Sequence, residues 1–233
     1  MTDHHIIASS KAWNTALAKN LQSSTGQKFQ YLSKPTDLTY SRLSELRPRY
    51  VFFPHWSHRI PVEVFENFEC IIFHMTDVPF GRGGSPLQNL IARGIYETRL
   101  SALRCVAALD AGPVYLKRPL SLHGSAEEIY LRASEVIEQM IFEIVRTNPE
   151  PVEQAGEPIF FKRRSPDQGN LLNAQSLEQA FDLIRMLDAA GYPRAFVNVG
   201  KFCMKFSRVT QKSDGLIADV SITLQDQDTE RTE

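Results

Sequence analysis

The sequence predicts an α/β fold, a mostly parallel sheet with helices on both faces, followed by a small α+β carboxy-terminal module. Three observations predict it. Four short apolar runs alternate with helix-length segments over the first 75 residues. Two of these runs, Tyr50-Val51-Phe52-Phe53 and Cys70-Ile71-Ile72-Phe73, are apolar on both faces, as buried parallel strands are. Periodicity then breaks after Arg146, where Asn148-Pro149-Glu150-Pro151 gives way to a second patterned stretch.

Taken in order, residues 5–8 read as a strand, 10–21 as a helix, 28–32 as a strand and 39–46 as a helix. Residues 50–53 form the third strand, 62–66 a brief helix and 70–73 the fourth strand. Pro79, Gly81, Gly83, Gly84 and Pro86 then predict an irregular loop. Residues 86–93 suit a helix with Pro in its first turn. Strands over 98–107 and 114–119 pair as a hairpin across the turn Asp110-Ala111-Gly112-Pro113. Residues 125–145 make a long amphipathic helix, with Ser125 as N-cap and Glu127 and Glu128 in the first turn. In the second stretch a helix over 176–187 precedes strands at 196–199, 201–207 and 215–223. The expected organisation is a main domain over residues 1–146, a linker over 147–175, a module over 176–224 and a disordered tail over 225–233.

Composition narrows the function classes. Of 233 residues, 42% are hydrophobic and 23% charged, ordinary for a protein with a substantial core. Lys and Arg number 26 against 27 Asp and Glu, a net charge of -1, which argues against a large nucleic-acid footprint. Cys70, Cys105 and Cys203 lie far apart with no CxxC spacing and read as reduced thiols of a cytoplasmic protein. No basic leader precedes an apolar stretch, and no apolar run approaches the ~20 residues of a membrane span. An apolar hairpin in the tail module makes a homodimer an expected partner arrangement.

In an open parallel sheet, ligands bind beyond the carboxyl ends of the strands. The segments after Phe53 and Phe73 leave such ends, which places His55, Trp56, His58, His74, Thr76, Asp77 and Arg82 at a site.

From His74 the chain reads His-Met-Thr-Asp-Val-Pro-Phe-Gly-Arg-Gly-Gly-Ser-Pro-Leu-Gln, and from Leu109 it reads Leu-Asp-Ala-Gly. These two segments, at this separation, resemble the signature of the formyltransferase family. The resemblance covers roughly residues 45–120 and implies a Rossmann-like first domain. Later, the stretch from Arg163 (Arg-Arg-Ser-Pro-Asp) and the turn from Tyr192 (Tyr-Pro-Arg-Ala-Phe) resemble the nucleotide-sugar N-formyltransferase branch more than the transfer-RNA branch, whose carboxy-terminal domain is larger.

The resemblance implies formyl transfer from 10-formyltetrahydrofolate to a primary amine of a nucleotide-linked amino sugar. It assigns catalysis to His74, as a donor to the developing oxyanion, and Asp110, as the group that orients it and receives the amine proton. It places the folate cosubstrate against His55, Trp56, Ser57 and His58 and against Arg82, Gly83, Gly84 and Ser85. It places the acceptor near Thr76, Asp77, Arg163 and Arg164. One departure stands out: the family carries Asn two positions before this His, and here that residue is Ile72, which cannot donate a hydrogen bond. Thr76, Ser85 and Gln88 are the candidate replacements. A non-catalytic folate- or nucleotide-sugar-binding homologue and a methionyl-tRNA formyltransferase are the alternative readings.

Plainer roles compete at several positions. Asp110 suits the start of a turn, Lys162-Arg163-Arg164 suits a solvated surface, and Trp13 suits the core. His55 and His58 stand three apart with no third ligand at matching spacing, so no metal is expected. Gly81-Arg82-Gly83-Gly84-Ser85 is neither a P-loop nor a dinucleotide fingerprint.

Overall fold

The computed structural model describes residues 3–225. Strands β1 (His4–Ala8), β2 (Lys28–Leu32), β3 (Tyr50–Phe53) and β4 (Cys70–His74) run parallel in the order β2-β1-β3-β4. Helices α1 (Leu17–Thr25), α2 (Tyr40–Leu46) and α3 (Val62–Phe65) connect them. All four residues of β3 are buried because apolar layers cover both faces. Tyr50 and Phe52 join one core with α1, and Val51 and Phe53 join a second core with Leu43 and Val64 of α2 and α3.

The first helix starts later than the pattern suggests. Residues 12–14 form a 3-10 turn, and α1 begins only at Leu17. The cause is local: the Asn14 carboxamide, fully buried, donates to Ser9 Oγ (3.0 Å) and to the Pro54 carbonyl (3.2 Å). Such side-chain bonds compete with the helical ladder.

The Gly-rich segment expected to be irregular is a short strand, β5 (Phe80–Gly83). It pairs in parallel with β8 (Ile159–Phe161), which lies inside the segment expected to be a linker. Sequence periodicity cannot reveal this pairing, because glycines replace the side chains that would alternate. Gly83 has φ +115, and a Cβ there would stand 2.3 Å from the Phe161 carbonyl oxygen. Gly84 is similarly pressed on Arg163, where an added Cβ would meet Cα at 2.7 Å.

Helix α4 (Pro86–Ile91) leads to the antiparallel pair β6 (Glu97–Arg104) and β7 (Val114–Ser121), which completes a six-stranded sheet beside β4. The long helix α5 (Ala126–Thr147) starts at a reciprocal capping box between Ser125 and Glu128, as the sequence signals. Helix α6 (Leu177–Arg185) is bound to the main domain through Arg185, only 3% exposed, which donates to the Leu122 and Gly124 carbonyls and pairs with Asp182. The apolar core containing Ile7 and Ile141 continues through Phe161, Ile184 and Ala195, so one core crosses from the first domain into the module.

Strands β9 (Ala195–Val199), β10 (Phe202–Gln211) and β11 (Leu216–Leu224) form a separate antiparallel sheet. Their register puts Val199, Phe202 and Leu224 on one apolar face. That face is buried at Ala195 and exposed at its far end, where Ile222 and Leu224 are 58% and 64% accessible. Gln225, assigned from sequence to the disordered tail, is anchored: its amide donates to the Lys201 carbonyl (2.9 Å) and its side chain to the Gly200 carbonyl (2.9 Å). The rest of that tail, residues 226–233, lies outside the described residues.

Among the described residues no helix is long and apolar enough to cross a membrane. We predict that Gly83→Ala lowers the thermal unfolding midpoint by roughly 5–10 °C, through a strained φ and the collision with the Phe161 carbonyl. A midpoint within 1 °C of wild type in calorimetry would show that β5 and β8 can separate without cost.

Candidate active site

Strands β3 and β4 are parallel neighbours with Phe53 opposite Ile72, so residues 54–58 and 74–77 leave adjacent carboxyl ends. His74 is the last residue of β4 and is 7% exposed. Its Nε2 lies 2.8 Å from the Gly81 carbonyl oxygen. A carbonyl only accepts, so Nε2 carries the proton and donates. This leaves Nδ1 as the ring atom that faces Asp110, 3.6 Å from Oδ2.

Asp110 sits in the β6–β7 turn with φ +51, a conformation that Asp tolerates better than most residues. Its carboxylate is 8% exposed and accepts the Gly83 amide N–H at 2.9 Å, on the same Oδ2 that faces His74. The turn is pressed against β6, because a Cβ on Gly112 would stand 1.9 Å from the Arg104 carbonyl oxygen. Two residues 36 positions apart in sequence are thus joined by β5, which gives one carbonyl to the histidine and one amide to the aspartate.

The other residues singled out in the sequence divide. Thr76 is fully buried, its hydroxyl donating to the Gly81 carbonyl (3.3 Å), and Ser101 holds the Thr76 carbonyl (2.7 Å). Asp77 is exposed and pairs with Lys117 of β7. Arg82 spends both Nε (3.1 Å) and Nη2 (2.7 Å) on the Gln154 carboxamide oxygen. Gly83 and Gly84 approach the 161–163 backbone. Ser85 Oγ accepts the Arg164 amide at 3.1 Å. Gln88 is turned into the core, donating to Tyr130 Oη (3.2 Å) and the Met186 carbonyl (3.1 Å). Arg163 is exposed, whereas Arg164 is half-buried, its guanidinium disfavoured by burial and then by the nearby charge of Arg93.

The segment after β3 splits about the sheet. Trp56 packs edge-on against Phe53 on the second core, with Ile72 and Cys105. Burial pushes the Cys105 thiol up to about 11, aided by the charge of Asp110. His55 instead turns toward Trp13 and Tyr130, meeting both edge-on at 6.0 and 5.4 Å. Trp13 and Tyr192 each stack on Tyr130, and Lys11 Nζ lies over both of those rings at 5.5 and 5.0 Å. Burial, then the Lys11 charge, pushes His55 down to about 4. Ser57 and His58 are exposed. Among the described residues no group of three His, Cys, Asp or Glu is arranged to hold a metal ion.

Sequence reasoning missed Gln154, Phe161 and the Lys11–Trp13–Tyr130–Tyr192 group. Only the aromatic spacing of the last could have signalled it.

Known proteins share this architecture. A methionyl-tRNA formyltransferase structure from Clostridium thermocellum is 45% identical, with a TM-score of 0.92 over 95% of this chain and 99% of that one. The chain belongs to the formyltransferase family. A family model described as the methionyl-tRNA formyltransferase C-terminal domain matches residues 166–223 of this formyltransferase, the module that sequence reasoning judged too small for the transfer-RNA type. A methionyl-tRNA formyltransferase from Gluconobacter oxydans is 26% identical over 144 residues, covering 60% of this chain and 47% of its own length. The chain spans about half the length of the curated relatives it matches. A likely sugar N-formyltransferase from Mycobacterium tuberculosis shares the fold at 19% identity, with a TM-score of 0.73 over 91% of this chain and 99% of that one.

The depressed basicity of His55 has a consequence for stability. Its ordinary value is near 6.5, so as pH falls below this the unfolded chain takes up a proton that the folded chain refuses until about 4. The contribution is complete above pH 6.5 and is lost on acidification through that window, on the order of 3 kcal/mol. Urea unfolding from pH 7 to pH 4 should therefore show a shallower loss of stability for His55→Phe than for wild type. Identical slopes would mean that His55 is protonated freely in the fold.

Proposed function

We propose that the chain transfers a formyl group from 10-formyltetrahydrofolate to a primary amine on a nucleotide-linked amino sugar. The observation that carries this reading is the His74–Asp110 pair, with Nε2–H committed to Gly81 and Nδ1 turned to the carboxylate.

Formyl transfer requires a neutral amine to attack the formyl carbon, a donor for the oxygen that becomes an oxyanion, and an acceptor for the amine proton. With Nε2–H committed to Gly81, Nδ1 is the ring atom left to serve the oxyanion in this reading. Asp110 Oδ2 stands 3.6 Å from that nitrogen, and both side chains are under 10% exposed. Asp110 then takes the proton from the amine nitrogen of the tetrahedral intermediate and gives it to N10 of the folate, so that collapse to amide and tetrahydrofolate restores the pair. The amine nitrogen forms the new C–N bond as the bond from carbon to N10 of the folate breaks.

Ile72 removes the second donor that the family carries, and it projects from the same face of β4 as His74. None of the three candidate replacements repairs this: Thr76 serves Gly81, Gln88 faces the core and Ser85 holds Arg164. In this reading His74 alone serves the oxyanion, and the reaction is slower than with two donors.

For the acceptor, support comes from charge. Arg164 bonds Ser85 and feels the charge of Arg93; Lys162 and Arg163 precede it in the chain, and none of the four makes an ion pair among the described residues. Four cations on a chain of net charge -1 suit a pyrophosphate better than a long nucleic-acid track. A second reading, formylation of methionyl-tRNA, is favoured by the 45% identity to the Clostridium thermocellum protein and by the match over residues 166–223. The free thiols of Cys70, Cys105 and Cys203 agree with a reducing, cytoplasmic setting.

The test is release of tetrahydrofolate with a panel of nucleotide-linked 3-amino and 4-amino sugars and, in parallel, charged initiator tRNA. Turnover on a sugar should fall about 10²- to 10⁴-fold in His74→Ala and Asp110→Ala. Ile72→Asn should raise it, by up to about 10²-fold, by restoring a donor. Turnover on tRNA alone, with steep salt dependence, would establish the second reading. Folate binding with no turnover on any acceptor would leave a binding protein.

A further inference from the structure

Gln154 lies in a stretch without periodicity, yet all four hydrogen-bonding positions of its carboxamide are used. Oε1 accepts from Arg82 Nε (3.1 Å) and Nη2 (2.7 Å). Nε2 donates to the carbonyls of Asp110 (2.9 Å) and Gly112 (2.8 Å). An amide offers two donors and two lone pairs, so the group is saturated. Its neighbourhood is fixed as well, because Val152 pairs with Val114 at the start of β7 through two backbone bonds.

Arg82 and Gly83 are consecutive, and both reach the Asp110 turn. Gly83 does so directly, through its amide on the carboxylate; Arg82 does so through Gln154, on the main-chain carbonyl. The contact between His74 and Asp110 is 3.6 Å, too long for a hydrogen bond, so the pair does not set its own separation. Gly112 and Pro113 fix the base of the turn on Arg104, but with the Gly83 bond alone its Asp110 tip could pivot about that bond. With two, its distance and its rotation are both defined.

We propose that Gln154 is a positioning residue for formyl transfer: it clamps the Asp110 turn to β5 so that the carboxylate faces His74 Nδ1. Its activity arm rests on the formyl-transfer reading above. Only a carboxamide of this length has the required polarity. Glu would keep the acceptor for Arg82 but point a carboxylate at two carbonyls, and Met fills the space with no hydrogen bond.

The full-length chain carrying Gln154→Met or Gln154→Glu tests this. We expect kcat to fall about 10- to 100-fold while KM for formyl donor and acceptor stays within about threefold, as loss of orientation rather than binding requires. The pH profile of kcat should change shape in the same variants. In the substrate-free chain, the His74 imidazole NMR resonances should shift in Gln154→Met as the carboxylate moves away. That measurement does not depend on the acceptor, so an inactive wild type would refute formyl transfer while still testing the clamp. Should the Met variant fail to fold, the Glu variant carries the same readouts. A wild-type kcat, or a lowered melting temperature with kcat per folded molecule and His74 resonances unchanged, would overturn the proposal and leave Gln154 a purely structural bridge.

Discussion

The hydrogen bond from His74 Nε2 to the Gly81 carbonyl is the constraint on which the site depends. It fixes which ring nitrogen bears a proton, and therefore which one is left facing Asp110. The Gly81 carbonyl can reach the ring only because β5 runs tightly against β8, and β5 can do so only because Gly83 and Gly84 lack side chains. The same short strand gives the Gly83 amide to Asp110. A histidine from the parallel part of the sheet and an aspartate from its antiparallel part thus meet across a strand that belongs to neither.

The surroundings stiffen this arrangement. His74 and Phe73 close a strand whose apolar residues feed both cores, so the histidine backbone is backed by packing on both faces. Asp110 has no such strand beneath it. Its turn is held by hydrogen bonds from Gly83 and Gln154, by the Arg104 amide on the Pro113 carbonyl (2.9 Å) and by the approach of Gly112 to Arg104. The two halves of the pair therefore differ in kind, one anchored by packing and the other by hydrogen bonds. On the far side of the sheet, His55 is kept neutral among Trp13 and Tyr130, a position that packs the strand ends rather than reacting at them.

Much of this was legible in the sequence because burial writes a period. Residues 50–53 and 28–32 were read with the bounds the structure gives, since apolar runs between turn residues leave little choice. Ser125 and Glu128 announced their capping box. His74 and Asp110, which the fold brings to 3.6 Å, were singled out through motif spacing. What was not legible has physical reasons. Asn14 broke a helix by hydrogen bonding to groups distant in sequence. β5 and β8 pair through backbone, with glycines where a pattern would appear. Gln154 makes its contacts through one side chain in an aperiodic stretch, and its pairing with Arg82 has no sequence signal. No local rule joins residues 72 positions apart.

The protonation pattern of His74 is the most direct measure of the central claim, and nitrogen-15 NMR of the imidazole ring reads it without any substrate. The account predicts that Nε2 carries a proton slow to exchange with solvent, coupled to the Gly81 carbonyl, at every pH where the chain is folded. A neutral ring protonated on Nδ1, or an Nε2 proton in rapid exchange, would contradict it.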